Sequence, residues 1–151
     1  LRIADLGSLA GRRYPAGRLT QGLVGEGRPI TTEGFCMGVV TLDPDGGQVP
    51  WHCHPNEEVY LILEGSLELA LGEELGEVRS GQAVHIPSNT YHQLTNRGAE
   101  PARFAYVYSP AGDVDHWKQE LAGSLPRAGI EAPSLPEGAA PQHYDPPKGD
   151  T

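Results

Sequence analysis

Between Gly34 and Pro110 apolar and polar positions alternate with a period near two, and short runs of Gly, Pro, Asn and Asp cut the alternation. This predicts half-buried β-strands joined by tight turns, because successive strand side chains point to opposite faces and Gly and Pro supply the φ values that turns need. The strands expected are Phe35 to Leu42, Gln48 to His54, Glu58 to Leu63, Ser66 to Leu71, Leu75 to Arg79, Val84 to Ile86, Gln93 to Asn96 and Arg103 to Tyr108. Asp43-Pro44-Asp45-Gly46-Gly47, Gly72-Glu73-Glu74, Pro87-Ser88-Asn89-Thr90 and Asn96-Arg97-Gly98 read as turns. So many short strands point to an all-β barrel or sandwich.

After Pro110 the period changes. Val114, Trp117 and Leu121 fall at i, i+3 and i+7, with Asp113 placed as N-cap and Gly123 as the stop, so residues 113 to 122 read as one short helix clamped to the barrel by Trp117. From Ser124 onward Pro126, Pro133, Pro136, Pro141, Pro146 and Pro147 stand among few apolar residues, which predicts an extended tail along a neighbouring surface. Four stretches follow: an N-terminal arm over 1–33, a barrel over 34–110, a helical segment over 111–123 and a Pro-rich tail over 124–151.

A chain of 151 residues suits one domain with one enclosed core. Its formal net charge of −9 argues against a nucleic-acid partner and an anionic membrane surface, both of which would repel it. Arg2, Arg12, Arg13 and Arg18 give the arm a basic character that favours docking on the acidic barrel, rich in Glu64, Glu68, Glu73, Glu74 and Glu77. Cys36 and Cys53 form no CxxC pair and no closely spaced framework, as expected in a reducing cytoplasm. No stretch reaches the length of a membrane span or a signal-peptide core, so a soluble, cytoplasmic protein with a small-molecule partner is expected.

The chemistry concentrates in His52-Cys53-His54-Pro55-Asn56-Glu57-Glu58 and in His92. Two residues apart on an extended strand, His52 and His54 share a face, and Glu58 on the strand after the Pro55-Asn56 break can reach the same point. With His92 from a distant strand, three imidazoles and one carboxylate make a mixed N/O set that suits Fe(II), Mn, Co, Ni or Zn better than Ca or Mg. Glu57, of opposite parity, reads as a solvated rim charge. A lone strand histidine is ordinarily a surface or satisfied core residue; four ligand-type residues at these spacings set this group apart.

Gly46, His52-x-His54, Glu58 and Gly65 at these spacings resemble the complete first motif of the cupin superfamily, and Gly81, Pro87, His92 and Asn96 resemble the second. Asn89 stands where the family usually has glycine, a mild departure because Asn tolerates the left-handed region next best. Over roughly residues 34 to 110, the resemblance implies an all-β fold: a cupin-type jelly-roll β-barrel (double-stranded β-helix), here with one short C-terminal helix. It further implies one divalent transition metal per chain (Fe, Mn, Ni, Co, Cu or Zn) held by His52, His54, Glu58 and His92. Arms such as residues 1–33 often pack along the barrel or pair with a second subunit in this family, so a homodimer is expected.

By parity, Tyr60 and Ile62 share the face of Glu58, while Phe104, Tyr106 and Tyr108 share a face of the last strand. Two readings stand for these residues: barrel core, or the wall of a small-molecule site. The tyrosines fit the second better, since a buried phenol needs a hydrogen-bond partner, and Glu58, Tyr60 and Tyr106 are the candidate catalytic residues. His85 reads either as a fourth imidazole near the metal or as an outward-facing histidine. His116 and His143 read as surface residues. The function expected is a mononuclear metal-dependent enzyme on a small organic substrate, of dioxygenase type. Its alternatives are a non-redox isomerase, cyclase or decarboxylase, and a small-molecule-binding protein without turnover.

Overall fold

Alternation of core-facing and solvent-facing residues builds two antiparallel sheets that pack face to face. The structure, a computed structural model, describes residues 1–112 and 114–144. After a 3₁₀ turn at Leu6–Ser8 come β1 (Arg12–Tyr14), β2 (Arg18–Val24), β3 (Cys36–Leu42), β4 (Gln48–His52), β5 (Glu57–Glu64) and β6 (Ser66–Leu71). These are followed by β7 (Glu74–Arg79), β8 (Ala83–Ile86), β9 (His92–Thr95), β10 (Ala102–Ser109) and the helix α1 (Asp115–Ala122). One sheet has the order β1-β2-β3-β10-β5-β8 and the other β4-β9-β6-β7, the two walls of a jelly roll. The arm thus contributes two strands to the larger sheet, with β2 paired to β3 along most of its length.

The core lies between the sheets and is closed by Val40, Leu42, Ile62, Leu67, Leu94 and Phe104. Full burial of a Val, Leu, Ile or Phe side chain contributes roughly 1.5–3 kcal/mol, so this layer supplies much of the drive for the sheets to close. On β5 the alternation is clean: Glu58, Tyr60 and Ile62 are buried while Glu57, Val59, Leu61 and Leu63 are exposed. Three turns take the left-handed conformations that their residues permit, at Gly65 (φ 88°), Gly81 (φ 87°) and Asn89 (φ 58°).

Two expectations are corrected here. β4 ends at His52, and His54 follows in the connection to β5. All five residues of β4 are buried, because the Pro-rich segment packs on the outer face of the smaller sheet. Its described part, residues 124–144, is held on its own barrel through main-chain carbonyls that accept side-chain hydrogen bonds: Trp51 Nε1 donates to Pro133 O (2.8 Å) and Gln93 Nε2 to Ala140 O (2.9 Å). Pro segments leave carbonyls unpaired in any ladder, and these side chains satisfy them.

The helix is shorter than expected and presents a different face. Asp113, expected as its cap, lies outside the described residues; Gly123 ends it in the left-handed conformation (φ 67°), as expected. The buried helical residues are His116 and Glu120, whereas Leu121 is exposed. A charge decides this orientation. Glu120 Oε2 receives Arg18 Nη2 at 2.5 Å with both side chains almost fully buried, and Glu120 Oε1 accepts Ala16 N–H at 3.2 Å. Trp117 packs on the core beside Tyr14, Tyr106 and Tyr108, as a clamp. Among the described residues no helix is long and apolar enough to cross a membrane.

Candidate metal centre

His52 and His92 are opposite one another on β4 and β9, while Glu58 comes from β5 in the facing sheet. Each ring is aimed by a main-chain carbonyl two residues away. His52 Nδ1 lies 2.6 Å from Pro50 O, His92 Nδ1 2.8 Å from Thr90 O and His54 Nδ1 2.9 Å from Asn56 O. A carbonyl only accepts, so each Nδ1 carries a proton and each Nε2, the nitrogen that bears the lone pair in that tautomer, is turned inward. One potential ligand atom from each of the three rings lies within 4.8 Å of the other two.

Two of these inward nitrogens lack the partners that burial demands. His52 Nε2 and His92 Nε2 are buried without a hydrogen bond. His54 Nε2 faces Glu58 Oε2 at 2.9 Å, and the same oxygen is 3.6 Å from His92 Nε2. A lone pair and a carboxylate oxygen at that separation are two acceptors, so a proton or a cation must lie between them. Three inward nitrogens and one carboxylate therefore fit a divalent transition metal by number, charge and donor type.

Burial, reinforced by the neighbouring imidazoles of His116, His92 and His54, holds His52 well below the usual histidine range. Burial pushes the Glu58 carboxyl up, but the hydrogen bonds and charges of His54 and His92 outweigh it and leave Glu58 below the usual carboxylate range. The site thus favours a neutral His52 ring and an ionised Glu58 carboxylate, states in which each can donate to a metal.

The expected tyrosines line the same interior. Tyr60 packs edge-on against Phe104 (4.9 Å) and Tyr106 stacks on Tyr108 (5.8 Å), with Tyr60 and Tyr106 paired across β5 and β10. Burial raises the pKa of each phenol, and at Tyr60 the Glu58 carboxylate adds to the effect. Tyr108 Oη is committed to Gly112 O at 2.7 Å. A cavity of about 20 Å³ remains between Glu58, Tyr60, Tyr106 and Trp117. Beyond Trp117 a wider groove of about 560 Å³ runs between the arm and α1, lined by Tyr14, Arg12, Arg28 and Lys118.

His85 faces outward, its Nε2 2.7 Å from Glu57 Oε1 with both side chains exposed, so of its two readings the outward one holds. The surface reading of His116 is overturned. Its ring is buried and stacks on His52 with centroids 3.6 Å apart. Burial, with the Arg18 charge second, lowers its pKa well below the usual range. Helical periodicity missed it because that reading weights apolar residues; the available signal was the i, i+4 pair His116 and Glu120, legible only once Arg18 is known to face it. His143 is half-buried, its backbone N–H donating to Gln48 Oε1 at 2.5 Å.

A family model described as "Cupin domain" matches residues 38–108. Among curated proteins, the chain is 34% identical over 113 residues to the polyketide synthase protein CurC of Streptomyces cyaneus, covering 72% of this chain and 70% of that one. It is 35% identical over 80 residues to the tetracenomycin polyketide synthase protein TcmJ of Streptomyces glaucescens, spanning 52% of each. Among solved structures, the polyketide cyclase RemF from Streptomyces resistomycificus superposes with a TM-score of 0.63 at 23% identity, over 72% of this chain and 79% of that one.

Proposed function

The chain belongs to the cupin superfamily, and from that premise we propose that it is a metal-dependent, non-redox enzyme of cyclase type acting on an enolisable, polyketide-like organic substrate. The observation that carries the metal is the set of inward, buried ring nitrogens without partners beside Glu58. The polyketide setting comes from the names of the relatives. His52, His54, His92 and Glu58 would hold the ion. When bound, it supplies Lewis-acid polarisation of a carbonyl or enolate oxygen.

The chain's own groups do the rest. Burial keeps the Tyr60 and Tyr106 phenols protonated, so each can donate a hydrogen bond to a substrate oxygen as charge builds there. Glu58, ionised and within reach of His54 and His92, can accept a proton from the carbon next to a substrate carbonyl. Ring closure then joins that carbon to a second carbonyl carbon, and the new hydroxyl leaves as water with a neighbouring proton. Phe104, Tyr108 and Trp117 keep bulk water out of the interior.

A second reading, a dioxygenase, is favoured by one observation: three imidazoles with one carboxylate also suit Fe(II). Incubation of the Zn(II)-loaded and Fe(II)-loaded protein with a linear poly-β-ketone, with and without O₂, separates the two. Product lighter by one water, formed without O₂ and with either metal, supports cyclisation. Turnover that requires O₂ and Fe(II), with oxygen incorporated, supports the dioxygenase and sinks the first reading.

A further inference from the structure

We propose that His116 is a further protein ligand to the metal, carried on a helix that closes the barrel mouth. The inference rests on the reading that His52, His54, His92 and Glu58 hold a metal, and it adds a residue outside both sequence motifs.

The polar pattern of α1 requires explanation first. A helix that only plugged a barrel would bury its apolar side chains, yet this one leaves Leu121 at 47% exposure and buries His116 and Glu120. Glu120 is accounted for by Arg18 and Ala16 N–H. His116, one turn earlier on the same face, is not: neither ring nitrogen has a hydrogen-bond partner although both are buried. Buried polar atoms are nearly always paired, and an imidazole with two unpaired nitrogens carries an uncompensated desolvation cost at each.

The position of the ring indicates what would compensate it. His116 lies against His52 at 3.6 Å with 26° between the ring planes, and its centroid is 6.4 Å from His54. It borders the small interior cavity with His54, Glu58 and Tyr60. Four ligands leave two positions of an octahedral ion open, and a fourth imidazole is a donor of the type already present. His52, His54 and His92 are each locked by an Nδ1 bond to a carbonyl, whereas His116 has no such anchor. Both of its nitrogens are therefore uncommitted, and either is available as a donor to the metal.

The buried Arg18–Glu120 pair makes the arrangement reproducible, because it fixes the helix face at i+4 from His116. Opening the mouth would break that pair and release the imidazole together. His116 thus links metal occupancy to closure of α1.

The experiment counts imidazoles. X-ray absorption on the Zn(II)-loaded protein and pulsed EPR on the Cu(II)-loaded protein are expected to give four histidine ligands in the wild type and three in His116→Phe, which keeps a ring stacked on His52 but has no nitrogen. Zn(II) affinity of His116→Phe is expected to fall about tenfold or more, with an unchanged β-rich far-UV spectrum. A wild-type count of three, or a His116→Phe protein with unaltered count and affinity, overturns the proposal while leaving the metal site intact. A wild type that binds no Zn(II) stoichiometrically overturns the metal reading itself, and His116 with it. Should His116→Phe fail to fold, the wild-type count alone, four histidines against three, decides the matter.

Discussion

His52 and His92 face each other across the β4–β9 ladder with ring centroids 4.1 Å apart and both Nε2 atoms buried without a hydrogen bond. Two neighbouring strands in one sheet thus hold a pair of lone-pair donors at a separation fixed by backbone pairing. Glu58 approaches from the opposite sheet, so any ion between them ties the two sheets together.

Removal of one donor should therefore undo the site. His54→Ala and His92→Ala are each expected to lose stoichiometric metal, measured by elemental analysis of the purified protein. Glu58→Gln keeps shape but removes the balancing charge, and should weaken binding by roughly 10 to 100-fold or more. Glu57→Gln and His85→Ala, which pair with each other on the exposed face, should stay within about twofold. Full occupancy in His54→Ala would refute the ligand set.

The buried ion pair gives a stability prediction. Arg18→Met or Glu120→Met leaves one charge stranded at near-zero exposure, which costs about 3–5 kcal/mol. Replacing both residues by apolar ones should recover much of that loss. Urea denaturation of the two single variants and the Arg18→Met/Glu120→Met double variant forms the cycle, and additive losses would show that the pair is not coupled.

A third expectation concerns Gly38. A Cβ there would sit 2.5 Å from Tyr106 Oη and 2.6 Å from Gln21 O, so Tyr106 lies across β3 only because that residue has no side chain. Gly38→Ala should cost roughly 1–3 kcal/mol, as overpacking does. Adding Tyr106→Phe removes the hydroxyl but not the clash with the β2 carbonyl, so rescue in thermal melts should be partial; complete rescue would place all the crowding on the phenol.

How much of this was legible in the chain depends on what each element packs against. β5 alternates cleanly because one face meets the core and the other water, so parity located Glu58, Tyr60 and Ile62 and set Glu57 outside. On β4 parity carried less, since the Pro-rich segment buries its second face as well. That segment was unreadable by apolar content, because what orders it is carbonyl pairing to Trp51 and Gln93, residues more than forty positions away. His116 was unreadable for a related reason. Its helix is oriented by an ion pair to Arg18, 102 residues earlier, which no local period records.

The last prediction is the pH dependence of the metal-free protein. His52 and His116 have folded-state pKa values well below 6.5, chiefly because burial disfavours the charged ring. In the unfolded chain both rings take up protons near 6.5, so between that value and the lower folded values the unfolded state binds more protons, and stability falls as pH falls. The contribution is complete above about pH 7.5 and is lost progressively below 6.5. Glu58, with its folded pKa also depressed, adds loss of the same sign in a separate window below 4.5. Urea midpoints of the chelator-treated protein at pH 7.5, 6.5 and 5.5 should therefore decline, and His116→Phe should decline less steeply because one of the two buried rings no longer titrates. A midpoint that is flat or rises between pH 7.5 and 5.5 would mean that these rings are protonated in the fold, and that the site does not present neutral donors to a metal.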